Sequence, residues 1–84
     1  MSIENTIRKI METDLFVETP ADQIDLDGSL RNVYGLDSLG FVELRVQCED
    51  QFGVQISDED FTPEAFQSVR TVADLVRRLQ GVAA

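Results

Sequence analysis

The fifteen residues from Ser38 to Phe52 carry apolar side chains at helical spacing and end on Gly53, a natural helix stop. At roughly 100° per residue, Phe41, Leu44, Cys48 and Phe52 fall on one face, and Leu39, Val42 and Val46 fall on nearly the opposite one. The Phe41 stripe is larger and more aromatic and is assigned to the core, with Cys48 as a small buried hydrophobe. The Leu39 stripe is narrow and bordered by Glu43, Glu49 and Asp50, the layout of an apolar contact rimmed by charge, so it is read as a docking surface. The alternative is that Leu39, Val42 and Val46 meet the preceding loop or a neighbouring helix.

This helix opens from Gly35-Leu36-Asp37-Ser38-Leu39-Gly40. Gly35 permits a tight or left-handed turn, and Asp37 and Ser38 are both capping residues. Ser38 therefore stands where unpaired backbone N–H groups and the positive end of the helix dipole favour an anion, a phosphate above all.

Composition narrows the functions open to such a serine. The 84 residues make one domain, 1–84, that buries only about 60 to 65 per cent of its unfolded surface and leaves no room for a deep cleft. With 16 acidic and 7 basic residues, net −9, the chain would be repelled by nucleic acid or an anionic membrane, so neither is expected as a partner. No apolar stretch approaches transmembrane length. A single cysteine and an N-terminus unlike a secretory signal lead to the expectation of an intracellular, cytoplasmic protein. There is no histidine, which removes the usual general base, and no cluster of metal ligands, so neither a catalytic nor a metal site is expected.

Taken in order, Ser2 can cap a helix over about 2–16, with Ile3, Ile7, Ile10, Met11 and Leu15 on its apolar side. Residues 18–36 read as a long loop anchored at Ile24, Leu26, Leu30, Val33 and Tyr34. Within it Asp25-Leu26-Asp27-Gly28-Ser29 imitates the start of a calcium loop, but the twelfth position is Leu36, so turn chemistry is favoured over metal. Helix two spans 38–52. Ser57 then caps an acidic turn, Pro63 forces a break, and a short or bent helix three covers 58–66. Thr71 caps helix four over 71–80, with Asp74 at the box position and Arg77 and Arg78 in the final turn.

These elements predict an all-α fold, a small four-helix bundle of three main helices and a short third one. Its expected core includes Ile7, Ile10, Leu15, Leu30, Leu44, Cys48, Phe52, Ile56, Val72, Leu75 and Leu79. Between Asp37 and Glu64 there are eight acids against one base, Arg45, so −7 of the net −9 sits in this stretch. A displayed serine, an apolar stripe and an acidic surround together favour recognition by basic protein surfaces.

Gly-Leu-Asp-Ser-Leu also resembles the attachment motif of acyl carrier proteins, in which the serine of Asp-Ser-Leu is esterified by the 4′-phosphopantetheine arm of coenzyme A. The resemblance spans most of the chain, and its specific parts are the hexapeptide and the acidic helix after it. It implies Ser38 as the attachment point and a four-helix, acyl-carrier-like fold. It also implies recognition through Asp37, Leu39, Glu43, Val46 and Glu49, to which the stripe and its border add Val42 and Asp50. The implied partners are a phosphopantetheinyl transferase and acyl-loading and acyl-processing enzymes with basic docking surfaces; a monomer is expected. Two departures stand out. Gly40 occupies a position where many fatty-acid carriers have an acid, and Arg45 puts a cation into the reading helix. With a longer Phe61–Phe66 segment, these departures are more similar to free-standing carriers of polyketide or related secondary pathways. Beginning at Met1 and ending soon after the last helix, the chain is expected to be a discrete protein rather than a segment of a synthase.

The leading expectation is a non-enzymatic carrier of acyl thioesters for polyketide or fatty-acid-type biosynthesis. A peptidyl or aminoacyl carrier is the near alternative, and an unmodified acidic helical adaptor the alternative from another class. A hydrolase is set aside, because Gly35 to Ser38 to Gly40 misses the G-x-S-x-G elbow and no histidine could complete a triad.

Overall fold

The computed structural model describes residues 2–81. Its elements are α1 (Ile3–Thr13), a 3-10 turn (Ala21–Gln23), α2 (Ser38–Phe52) and α3 (Val69–Leu79). Helix α1 packs against α2, α3 and the 3-10 turn.

Ser2 caps α1 by accepting a 3.1 Å hydrogen bond from the Asn5 N–H. Ile7, Ile10 and Met11 are buried along one side. The helix stops at Thr13, three residues short of the expected 2–16. Leu15 N–H donates to the Ile10 carbonyl at 3.1 Å and Val17 N–H to the Met11 carbonyl at 3.0 Å, folding the chain back over the helix end. That closure needs a left-handed residue, usually glycine, and here it is Phe16 with φ +56°.

The long connection to α2 is held at many points. Ile24, Leu30 and Leu36 are buried. Arg8 Nε donates to the Ile24 carbonyl at 2.9 Å. Leu30 N–H donates to the Gln67 carbonyl and Arg70 N–H to the Leu26 carbonyl, both at 2.9 Å, so the loop is stitched to the start of α3. Asp25 Oδ1 accepts from the Asp27 N–H at 2.9 Å, a local Asx turn. Asp27 faces Arg70 with both oxygens, at 2.6 and 3.1 Å.

In α2, Leu44 and Cys48 are fully buried, while Phe41 and Phe52 pack half-buried against the core. Gly53, with φ +64°, ends the helix as expected.

The expected short helix over 58–66 is not there. Ser57–Phe66 forms turns, in which Phe61 N–H donates to the Ser57 carbonyl and Phe66 N–H to the Thr62 carbonyl, each at 3.0 Å. Pro63 lacks an N–H and disfavours helical geometry at Thr62, so the two turns cannot join. Among the described residues the fold therefore has three α-helices, with turns where a four-helix bundle has its third.

Helix α3 begins at Val69, not at 71. Ser68 is the cap: its Oγ accepts from the Thr71 N–H at 3.3 Å, while Thr71 Oγ1 accepts from the Ser68 N–H at 3.0 Å. Thr71 is thus the inner partner of a capping box, and Asp74 lies outside it, 3.7 Å from Arg77. The earlier start adds the fully buried Val69 to the face formed by Val72, Ala73 and Val76. The helix ends at Leu79, with Gln80 as its C-cap.

Ile7, Ile10, Leu30, Leu44, Cys48, Ile56, Val72 and Leu75 are buried as expected, whereas Leu15, Phe52 and Leu79 are half-buried. The core also takes Met11, Ile24, Leu36, Phe66, Val69, Ala73 and Val76. Each fully buried large aliphatic contributes about 1.5–3 kcal/mol against leaving it in water.

Candidate functional site

The turn into α2 is built from the loop outwards. Leu36 is buried, and its N–H donates to the Leu30 carbonyl at 3.0 Å. Gly35, with φ +73°, supplies the left-handed step just before it. Asp37 then caps the helix, its Oδ1 accepting from the Gly40 N–H at 2.8 Å and its carbonyl from the Phe41 N–H at 2.9 Å.

Ser38 follows as the first helical residue and is exposed. Helix geometry leaves the amides of Ser38 and Leu39 without an intrahelical acceptor. Among the described residues the Ser38 hydroxyl has no side-chain partner that could act as a base, so it is displayed rather than activated. The absence of an acid at position 40 has a steric counterpart. A Cβ on Gly40 would lie 3.1 Å from Leu36 Cδ2 and 3.4 Å from the capping Asp37 Oδ1.

A groove of about 630 Å³ starts at Ser38 and runs between α2 and the Phe61–Gln67 turns. Phe41, Val42, Phe61, Pro63 and Phe66 give it apolar walls, and Ser29, Arg31, Asn32, Thr62, Glu64 and Gln67 give it polar ones. Phe61 and Phe66 meet edge to face, with ring centroids 4.9 Å apart. An exposed hydroxyl at a helix start, with an open groove beside it, fits a phosphate-linked group.

Leu39 is 80% exposed, and Val42 and Val46 are each 48% exposed, so the second stripe of α2 meets neither the loop nor another helix closely. The acids around it are not equivalent. Glu43 and Asp50 are exposed, and Glu43 Oε2 accepts from Gln47 Nε2 at 2.9 Å. Asp37 is engaged as the cap. Glu49 is half-buried, its Oε2 accepting from the Ile56 N–H at 2.8 Å.

Arg45 is tied up elsewhere. It donates from Nε to the Ile56 carbonyl at 3.0 Å, pairs with Asp58 at 3.0 Å, and lies 4.9 Å from the centre of the Phe61 ring. The cation thus fastens the groove's far wall to α2. Cys48 is fully buried, and burial pushes its thiol up to about 12.

Sequence reasoning missed Phe41, Phe61 and Phe66 as groove walls, although two phenylalanines in the otherwise polar and acidic segment 57–67 were a usable signal. It also missed Phe16, which is 82% exposed, and Val33, expected as an anchor of the loop, is instead 62% exposed. No helix among the described residues is long and apolar enough to cross a membrane. Among those residues no group of three or more His, Cys, Asp or Glu gathers to hold a metal.

Fold and site together make a small helical body that presents one exposed hydroxyl beside a groove. Comparison with known proteins identifies the kind. Residues 5–79 match the family described as "Phosphopantetheine attachment site". The chain is 39% identical over 72 residues to "Acyl carrier protein 2" of Pseudomonas aeruginosa, covering 86% of each. It also resembles a chain in the crystal structure of an engineered Bradyrhizobium japonicum glycine:[carrier protein] ligase complexed with carrier protein from Agrobacterium tumefaciens and ATP. That likeness has a TM-score of 0.79 at 28% identity, over 90% of this chain and 97% of that one. The acyl carrier protein of Enterococcus faecalis matches with a TM-score of 0.74 at 26% identity, over 94% and 99% of the two chains. The chain belongs to the phosphopantetheine-attachment family, among the acyl carrier proteins, and 4′-phosphopantetheine is its cofactor.

Proposed function

We propose that Ser38 carries the 4′-phosphopantetheine arm and that the protein presents acyl intermediates of polyketide or fatty-acid-type biosynthesis to cytoplasmic enzymes. The observation that carries this reading is the exposed Ser38 at the first position of α2, opening directly onto the aromatic-walled groove. When bound, the arm supplies a thiol that holds the load as a thioester.

The chain's own residues do the rest. Asp37 fixes the helix start, Leu36 anchors the turn, and Ser38 supplies the oxygen of the new phosphodiester: as the Oγ–P bond forms, the pyrophosphate P–O bond of coenzyme A breaks, adenosine 3′,5′-bisphosphate leaves, and the hydroxyl proton passes to the transferase. Phe41, Phe61 and Phe66 offer apolar shelter to the load. Leu39, Val42 and Val46, with Glu43 and Asp50 beside them, form the contact for partner enzymes whose docking faces carry Lys and Arg. Asp37 and Glu49 contribute charge there while also holding the fold. The protein itself catalyses nothing in this reading.

An aminoacyl load is the second reading. It is favoured by the likeness to a chain in a structure of a glycine:[carrier protein] ligase with its carrier protein.

The test is intact mass after incubation with coenzyme A and a broad-specificity phosphopantetheinyl transferase, with Ser38→Ala alongside. Addition of one phosphopantetheine to the wild type alone is expected. No addition to folded protein across several transferases would favour an unmodified acidic adaptor. Incubating the product with an acyl-loading enzyme or a glycine ligase, and reading the mass again, separates the two loads.

A further inference from the structure

Phe16 is a side chain out of place. Closing the end of α1, with Val17 N–H on the Met11 carbonyl at 3.0 Å, requires a left-handed backbone at position 16, and φ there is +56°. Glycine adopts that conformation freely and asparagine with little strain, whereas a bulky residue resists it. Phenylalanine gives the core little in return, because it is 82% exposed. The closure accounts for the backbone and leaves the ring unexplained.

The ring has company. Val33, 62% exposed, lines with Phe16 a second groove of about 330 Å³ that reaches Gly35, Asp37 and Gly40. This groove shares Gly35, Leu36 and Asp37 with the turn that presents Ser38, yet it is separate from the groove beside Phe61 and Phe66. Its charged lining residues are Glu18 and Asp37, with no Lys or Arg among them. Phe16 and Val33, exposed apolar side chains on a largely polar groove whose charged residues are both acidic, match a partner surface of apolar side chains flanked by basic residues.

We propose that Phe16 and Val33 form a second docking patch, and that its occupant is the phosphopantetheinyl transferase. This rests on the carrier reading of Ser38. The choice of occupant follows from reach. An enzyme acting at the thiol of a long, flexible arm can stand off from the turn, but the enzyme that joins the arm must bring its own surface to the Ser38 oxygen. It therefore covers what adjoins that turn: the Leu39 stripe that follows it along α2, and the groove of Phe16 and Val33 that shares Gly35, Leu36 and Asp37 with it.

The backbone argument gives this patch an unusual signature, since stability and docking should move in opposite directions. The experiment measures initial rates of phosphopantetheine addition by intact mass, with a broad-specificity transferase and saturating coenzyme A, across concentrations of full-length wild type, Phe16→Gly, Phe16→Asn, Phe16→Tyr and Val33→Ser. Thermal melting of each unmodified protein is recorded in parallel. Phe16→Gly and Phe16→Asn should melt at or above the wild-type temperature while raising the KM for the carrier about tenfold, with the KM for coenzyme A unchanged. Val33→Ser should raise the carrier KM without the gain in melting temperature, and Phe16→Tyr should keep the wild-type KM.

An unchanged carrier KM in both Phe16→Gly and Val33→Ser would overturn the proposal. So would a defect confined to a later loading enzyme or to self-association, since either would name a different occupant. A wild type that gains no mass at all would instead remove the carrier reading on which the proposal stands.

Discussion

Glu4 and Arg77 join the two ends of the chain: Arg77 Nη2 donates to Glu4 Oε1 at 2.7 Å, tying the first turn of α1 to the last turn of α3. The hydrogen bond from Arg77 holds the Glu4 carboxyl below its ordinary value, outweighing the opposing effect of burial. A carboxylate whose folded value is depressed stabilises the protein above its unfolded value, and that contribution fades as pH falls through the folded one. Glu4→Gln should therefore melt a few degrees below wild type at neutral pH. The gap should close in acid below the ordinary carboxylate range. Melting curves across pH check this, and a gap that persisted in strong acid would show that the glutamate acts through packing instead.

Arg45 has a structural task that its charge disguises. Arg45→Ala loses three kinds of contact, the hydrogen bonding to the Ile56 carbonyl, the exposed ion pair with Asp58 and the stacking on Phe61, and should cost about 1–2 kcal/mol in urea unfolding. Arg45→Lys keeps the charge but not the planar fork and should recover only part of that. Amide exchange of Ile56 and Phe61 should quicken in both variants, while that of Leu44 stays slow.

Cys48 should be silent to thiol reagents in the native state, because it is fully buried and its thiol is pushed up to about 12. Native unmodified protein should titrate with no fast thiol, and protein carrying the arm with one. Unfolding in urea should add one more to each. Cys48→Ser would bury a hydroxyl in the same place and should cost about 1–3 kcal/mol.

The start of α3 can be tested through its cap. Ser68→Ala should cost about 1 kcal/mol. Thr71→Ala should cost a similar amount, and the double variant less than the sum, because the two residues bond to each other. Asp74→Ala should be nearly neutral, whereas a cap at Thr71 with Asp74 as its partner would make it destabilising. Urea unfolding of the four variants decides between the two.

How far the sequence carries depends on whether a feature is local. The second helix was legible because Asp37, Gly53 and the apolar periods between them all lie within one short window, and both of its stripes could be drawn before their surroundings were known. The capping box was misplaced by three residues because Ser68 and Thr71 are chemically alike as caps. What distinguishes them is Val69, whose burial depends on α1 and the loop. The turns at Ser57–Phe66 were expected as a helix because each half can form a helical turn alone, and only Pro63 between them prevents a join. Of the candidate site, the serine and its cap could be read directly, while the groove walls depend on Phe61 and Phe66 being folded back onto α2. The left-handed Phe16 had no signal, since nothing in a phenylalanine announces a glycine's geometry.

The stitching of the loop to α3 fixes an order of events during synthesis. Leu26 and Leu30 take their backbone partners from Arg70 and Gln67, and Leu36, which sets the turn before Ser38, hangs from Leu30. A nascent chain that has emerged only as far as Phe52 contains the whole serine motif and its helix, but lacks Gln67 and Arg70, to which the loop that aims them is bonded. The hydroxyl is therefore expected to be held in its final posture only once the C-terminal third has left the ribosome and docked, so an incomplete chain offers a modifying enzyme the right letters on a looser page.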